Sequence, residues 1–205
     1  MENLEAIGER SRQAFDARNQ ARDCALARAR LLTRHSANAI RAIHRSEHAL
    51  AYQNLAAARG LATAMQADLT GFPDLYYAGY TQDSLKEFCE ASITCALIEN
   101  QALPTPEELG AEYATYLNGL AEVTGELRRR CLDILRQGYS AEAERLLGCM
   151  DDIYAELVTL DYPDAITNGL RRQTDLVRGI VERTRGDLTT AMVAARLQSA
   201  IEQAR

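Results

Sequence analysis

Leu85-Lys86-Glu87-Phe88-Cys89-Glu90-Ala91 and Leu120-Ala121-Glu122-Val123-Thr124-Gly125-Glu126-Leu127 decide how the rest of the chain reads. Both stretches have helical composition. Glu87 and Glu90 are three apart and Glu122 and Glu126 are four apart, so each pair shares one helical face. Like charges at these spacings repel, by roughly 0.2–0.5 kcal/mol per pair. Two such acidic faces, on helices expected to pack antiparallel, ask for a compensating cation.

Outward from this pair, the chain keeps the same character. It has 205 residues, four prolines and no tryptophan, and is rich in Ala, Leu, Arg and Glu, which favours helix. Leu4, Ile7, Phe15, Ala25, Leu32, Ala39 and Ile43 repeat at threes and fours, so helix one is expected from Glu2 to Arg45. A helix that long needs a neighbour along its whole extent. Ser46 reads as the N-cap of helix two, to Leu69. Helix three runs from Asp74 to Gln101. Thr105, Pro106 and Glu108 form a capping box opening helix four, to Gln137, with a bend near Gly110. Ser140 caps helix five, to Leu160. Pro163 opens helix six, which Gly186 stops, and Asp187 caps helix seven. Short connections favour antiparallel neighbours, so the fold expected is all-α: a single seven-helix bundle with long antiparallel helices spanning residues 1–205.

Charge and cysteine narrow the function classes. The net charge of −6 does not advertise nucleic-acid binding, yet residues 1–60 balance at +4 and the remainder at −10. Arg30, Arg34, Arg41 and Arg45 fall on one stripe of helix one, and Arg171, Arg172, Arg178, Arg183 and Arg185 cluster near the end. Five cysteines without a C-x-x-C pair read as small apolar core residues in a reducing compartment. Early acidic residues interrupt any signal peptide and no apolar run reaches membrane length, so a cytoplasmic protein is expected.

Four carboxylates are enough for one or two hard divalent cations. A ferritin-like di-iron centre needs Glu-x-x-His, and none of His35, His44 and His48 lies three residues after a Glu. An all-α nucleotide pyrophosphatase places its second acidic pair soon after the first, whereas Glu122 lies 32 residues beyond Glu90. His44 and His48 are expected at the surface or facing nucleic acid. Tyr76, Tyr77 and Tyr80 either stack on bases or pack into the core.

The run Tyr116-Leu117-Asn118-Gly119-Leu120-Ala121-Glu122-Val123-Thr124-Gly125-Glu126-Leu127 resembles Asp-Tyr-Leu-x-Gly-x-x-Asp-Leu-Thr-Gly-Glu-Leu of the factor X branch of the translin superfamily. Lys86-Glu87-Phe88-Cys89-Glu90-Ala91 resembles its Gln-Glu-Tyr-Val-Glu-Ala. The resemblance implies an all-α fold and a closed homo-oligomer, commonly an octamer. It also implies binding to RNA or single-stranded DNA, and RNA cleavage with Mg²⁺, or Mn²⁺, held by acidic residues. By that resemblance Glu87, Glu90 and Glu122 are metal ligands, and Glu126 is an auxiliary member of the catalytic set. Arg30, Arg34, Arg41, Arg45 and Lys86 are the nucleic-acid-binding candidates. Glu122 stands where the family often has Asp, one methylene shorter. A non-catalytic binding shell is the alternative the resemblance leaves open.

Overall fold

A computed structural model describes residues 3–204; Glu2, the expected first residue of helix one, lies outside them. The described residues form nine helices, not seven: α1 Leu4–His44, α2 His48–Asp68, α3 Pro73–Tyr76, α4 Gly79–Ile98, α5 Pro106–Leu109, α6 Tyr113–Leu135, α7 Ala141–Leu157, α8 Asp164–Thr167 and α9 Leu170–Gln203. The differences have local causes. Expected helix three divides at Tyr77 and Ala78, where Ala78 takes extended backbone. Expected helix four divides at Gly110, whose φ of 65° closes α5. Expected helices six and seven are instead the one-turn α8 and the continuous α9. Gly186 does not stop α9, because Val181, Thr184 and Leu188 are buried on both sides of it. Burial across that turn outweighs the ~1 kcal/mol propensity cost of glycine. Asp187 does not cap; its carboxylate meets Arg128 at 2.8 Å.

Two caps follow the sequence reading. Thr105 and Glu108 form the reciprocal capping box, and Ser140 accepts from the Glu142 amide. Ser46 does not cap α2. It takes the left-handed region with φ 60°, and Glu47 occupies the cap position.

Helix direction is the larger correction. α1 and α2 are antiparallel, with Arg28 meeting Asp68 and His35 meeting Asn54. α6 and α7 form a second antiparallel hairpin, with the Cys131 thiol against the Ala143 carbonyl. α4 and α6, however, run parallel. Thr115 donates to Gln82 and Lys86 donates to Glu122, so residue numbers rise together along both helices. α6 and α9 are parallel too, since Glu122 meets Gln173 and Arg128 meets Thr184. The chain returns between α4 and α6 through residues 99–112. This segment, with extended residues at ~3.3 Å each and the one-turn α5 at ~1.5 Å per residue between them, is long enough to retrace the ~30 Å of α4. It is pinned along α2 by Tyr52 to Gln101, Arg59 to the Glu108 carbonyl and Gln66 to the Gly110 carbonyl.

A buried apolar cluster links the long helices, with Leu32, Met65, Phe88, Leu127, Met150 and Val177 among its members. The first turns of α1 do not reach it. Leu4, Ile7 and Phe15 are exposed, Phe15 to 69%, as are Val193, Leu197 and Ile201 at the end of α9. No helix among the described residues is long and apolar enough to cross a membrane.

Candidate metal centre

α4 supplies Glu87 and Glu90, and α6 supplies Glu122 and Glu126. The two helices approach closely because a glycine sits where they meet. A Cβ on Gly119 would lie 2.9 Å from the Lys86 carbonyl oxygen and 3.0 Å from the Cys89 Cβ. Contact at that turn brings the acidic side chains of the adjoining turns together. One carboxylate oxygen from each of Glu87, Glu90 and Glu122 lies within 4.8 Å of the others, and all three side chains are half-buried.

The electrostatics of this trio are unbalanced. Burial pushes the Glu90 carboxyl up to about 8, helped by the charges of Glu122, Glu87 and Glu126 and only partly opposed by Lys86. Burial also raises the Glu87 pKa, and Glu122 and Asp83 add to the rise against the pull of Lys86. Raised carboxylates crowded in one place mark a site short of positive charge. Oxygen-only donors suit a hard divalent cation such as Mg²⁺ or Mn²⁺ rather than a soft metal. The donor set therefore fits the ion that the sequence resemblance implies.

Glu126 is not one of the trio, but its charge adds to the rise of Glu90. Its Oε2 is 2.6 Å from His44 Nε2, and Arg129 lies 3.6 Å away. The His44 hydrogen bond holds the Glu126 carboxyl below the usual carboxylate range, against the opposing effect of burial. His44 is thus not a surface histidine; its side chain is 3% exposed and anchors the last turn of α1 to α6. His48 is exposed as expected and pairs with Glu99. The sequence carried no signal for the His44–Glu126 pair, since the two residues are 82 positions apart and belong to different expected roles. Gly119 left one trace, as a glycine inside an otherwise strong helical run.

Lys86 is drawn into the cluster instead of lying on the open surface. Its Nζ donates to Glu122 Oε1 at 2.6 Å and lies 4.0 Å from Glu87. Burial opposes the ammonium, but the Glu122 hydrogen bond and the charges of Glu122, Glu87 and Asp83 outweigh it and raise the Lys86 pKa. Gln173 of α9 approaches the same Glu122 oxygen at 3.5 Å.

Arg30, Arg34, Arg41 and Arg45 are all exposed along α1, and Arg41 donates to Asn38. Arg45 lines a polar cavity with His44, Arg130 and Asp133. The second arginine cluster is largely engaged in surface ion pairs, Arg171 with Asp161, Arg178 with Glu182 and Arg185 with Asp151. Tyr76 and Tyr80 pack against the core, whereas Tyr77 is exposed and meets Tyr76 edge-on at 5.0 Å. Cys89, Cys95 and Cys131 are buried, and Cys24 and Cys149 are half-buried.

Known proteins share this architecture. A family model described as "Translin family" matches residues 21–184. An uncharacterised protein of Methanocaldococcus jannaschii is 32% identical over 175 residues, which span 85% of this chain and 78% of that protein. The crystal structure of AfC3PO is similar with a TM-score of 0.85 and 34% identity, covering 91% of this chain and 97% of that one. The structure of an AfC3PO–duplex RNA complex gives 0.81 at 33% identity, covering 94% and 97%. The crystal structure of apo-NeC3PO gives 0.77 at 21% identity over 93% and 98%, a likeness of fold.

Proposed function

The chain belongs to the Translin family, and from that premise we propose that it is a metal-dependent endoribonuclease of the factor X type, working inside a closed homo-oligomer. The observation that carries the reading is the convergence of Glu87, Glu90 and Glu122 within 4.8 Å of one another. These three side chains hold Mg²⁺, with Mn²⁺ as a substitute. A bound ion of this kind supplies Lewis-acid stabilisation of a phosphodiester and a water of lowered pKa. Everything else falls to the protein. Glu126, fixed by His44, borders the trio and sets the position of α1 against α6. Arg41 and Arg45, exposed on either side of His44, are the proposed contacts to the RNA backbone. Arg30 and Arg34 continue the track. Contacts of this type position a backbone without reading its sequence, and they weaken with salt.

RNA as the substrate is supported by the duplex RNA complex of a relative 33% identical to this chain. Assembly is supported by the exposed Leu4, Ile7 and Phe15 of α1 and Val193, Leu197 and Ile201 of α9. Apolar side chains in two long, poorly covered helix ends are best satisfied by further copies of the chain, and the family resemblance implies an octamer. The described residues act as one helical domain, and the particle is proposed to be cytoplasmic.

The test is incubation of end-labelled single-stranded RNA with the protein, in Mg²⁺ and in EDTA. Endonucleolytic products that need Mg²⁺ support the reading. RNA, or single-stranded DNA, that is bound but left intact in Mg²⁺ overturns it in favour of a non-catalytic binding shell.

A further inference from the structure

Lys86 is the only lysine of the chain; the other 22 cationic side chains are arginines. It sits inside the carboxylate cluster, 2.6 Å from Glu122 and 4.0 Å from Glu87, with 21% of its side chain exposed. An arginine here would grip a carboxylate with a rigid, two-pronged fork. An ammonium is a compact charge with three donors on a flexible four-carbon stem. In a chain that otherwise uses arginine throughout, the one releasable cation is placed on an oxygen that a metal needs.

The two cations cannot share that oxygen cheaply. A divalent ion bound to Glu122 at ~2.1 Å would stand a few ångströms from an ammonium still hydrogen-bonded there, and like charges at that range repel strongly in a half-buried site. Lys86 has somewhere to go. It also lines an adjoining polar cavity of ≈ 190 Å³ with Gln82, Asp83, Thr115, Asn118 and Gln173. Acceptors wait in that cavity. Asp83 brings a carboxylate. Asn118, 6% exposed, donates its amide hydrogens to the carbonyls of Ala114 at 2.8 Å and Thr167 at 2.9 Å. Those two bonds fix the amide and leave Oδ1 as what Asn118 can offer a cation.

We propose that Lys86 is a tethered counterion that competes with the divalent metal for Glu122 and, on yielding, carries its ammonium into the adjoining Asp83–Asn118 cavity. The proposal rests on Glu87, Glu90 and Glu122 being the metal ligands. The ammonium makes the resting cluster tolerable without locking it.

The experiment is calorimetric titration of Mn²⁺ into the full-length protein, stripped of metal, as wild type, Lys86→Met, Lys86→Arg and Glu90→Gln. Circular dichroism checks the fold of each. Lys86→Met should bind Mn²⁺ about tenfold more tightly than wild type, the weight of one lost charge-assisted hydrogen bond. Lys86→Arg should bind more weakly than wild type, and it carries the test if Lys86→Met does not fold. Wild type that binds and loses binding with Glu90→Gln, while Lys86→Met binds no tighter, overturns the counterion role and leaves the metal centre standing. Silence from wild type and Lys86→Met alike removes the metal centre and the counterion together.

Discussion

Glu90 is the side chain on which the centre turns. Its folded pKa of about 8 stands well above the ordinary 4.5, chiefly because it is buried among like charges. Without metal, the native state therefore holds a proton that the unfolded chain releases between those values. The stabilisation from that proton is complete below about pH 4.5 and is lost as the pH rises through about 8. Glu126 has the opposite sign: its pKa is lowered, so its contribution is present above the ordinary carboxylate pKa and is lost as pH falls through the folded value. In EDTA, thermal denaturation should show Glu90→Gln melting roughly 2–6 °C above wild type at pH 8.5 and level with it at pH 4.5. Equal melting temperatures at both pH values would contradict the raised pKa. At this scale the sequence was generous with the carboxylates, because spacings of three and four display a face directly. It was wrong on His44, expected at the surface or facing nucleic acid, because its partner lies 82 residues away, and it placed Lys86 among the nucleic-acid contacts when the neighbouring helix draws it onto Glu122.

At the scale of the elements, Gly119 and Gly186 make opposite demands. Gly119 lets α4 and α6 touch, and a Cβ there would press on backbone 2.9 Å away. Gly119→Ala should lower the melting temperature by several degrees, since overpacking costs ~1–3 kcal/mol against a helix-propensity gain of ~1 kcal/mol. It should also weaken Mn²⁺ binding by spreading the carboxylates. Gly186 has nothing within 4 Å and lies inside α9. Gly186→Ala should therefore raise the melting temperature by a few degrees; a fall would mean that a chain break does occur there. The sequence reading of Gly186 as a stop weighed local propensity alone. It missed that Thr184 and Leu188 are both buried, a fact that lies in the packing of α9 on α6 and α7. The parallel run of α4 and α6 was hidden for a similar reason. The break after Gln101 reads as short, yet residues 99–112, with only the one-turn α5 inside them, carry the chain back along the length of α4.

For the whole molecule, the helix count mattered less than what is left uncovered. The period of helix one was legible, and the structure keeps it unbroken from Leu4 to His44. Its need for a neighbour was legible too, but α2 and α4 cover only the later turns. Phe15 and Leu197 stand on the uncovered ends, 69% and 62% exposed. Light scattering after size exclusion should give a mass several times that of the 22.7 kDa chain. Phe15→Glu with Leu197→Glu should shift it toward the monomer without loss of helical circular dichroism. A monomeric wild type at micromolar concentration would contradict assembly.

The most direct measurement is a Mg²⁺ titration of single-turnover RNA cleavage by wild type and by Glu90→Gln, with RNA binding followed in parallel. Loss of one proposed ligand should cut the cleavage rate by at least about a hundredfold while RNA affinity, which the proposal assigns to the arginines, stays within about twofold. Equal cleavage by the two proteins at every Mg²⁺ concentration would contradict the assignment of Glu87, Glu90 and Glu122 as the metal centre.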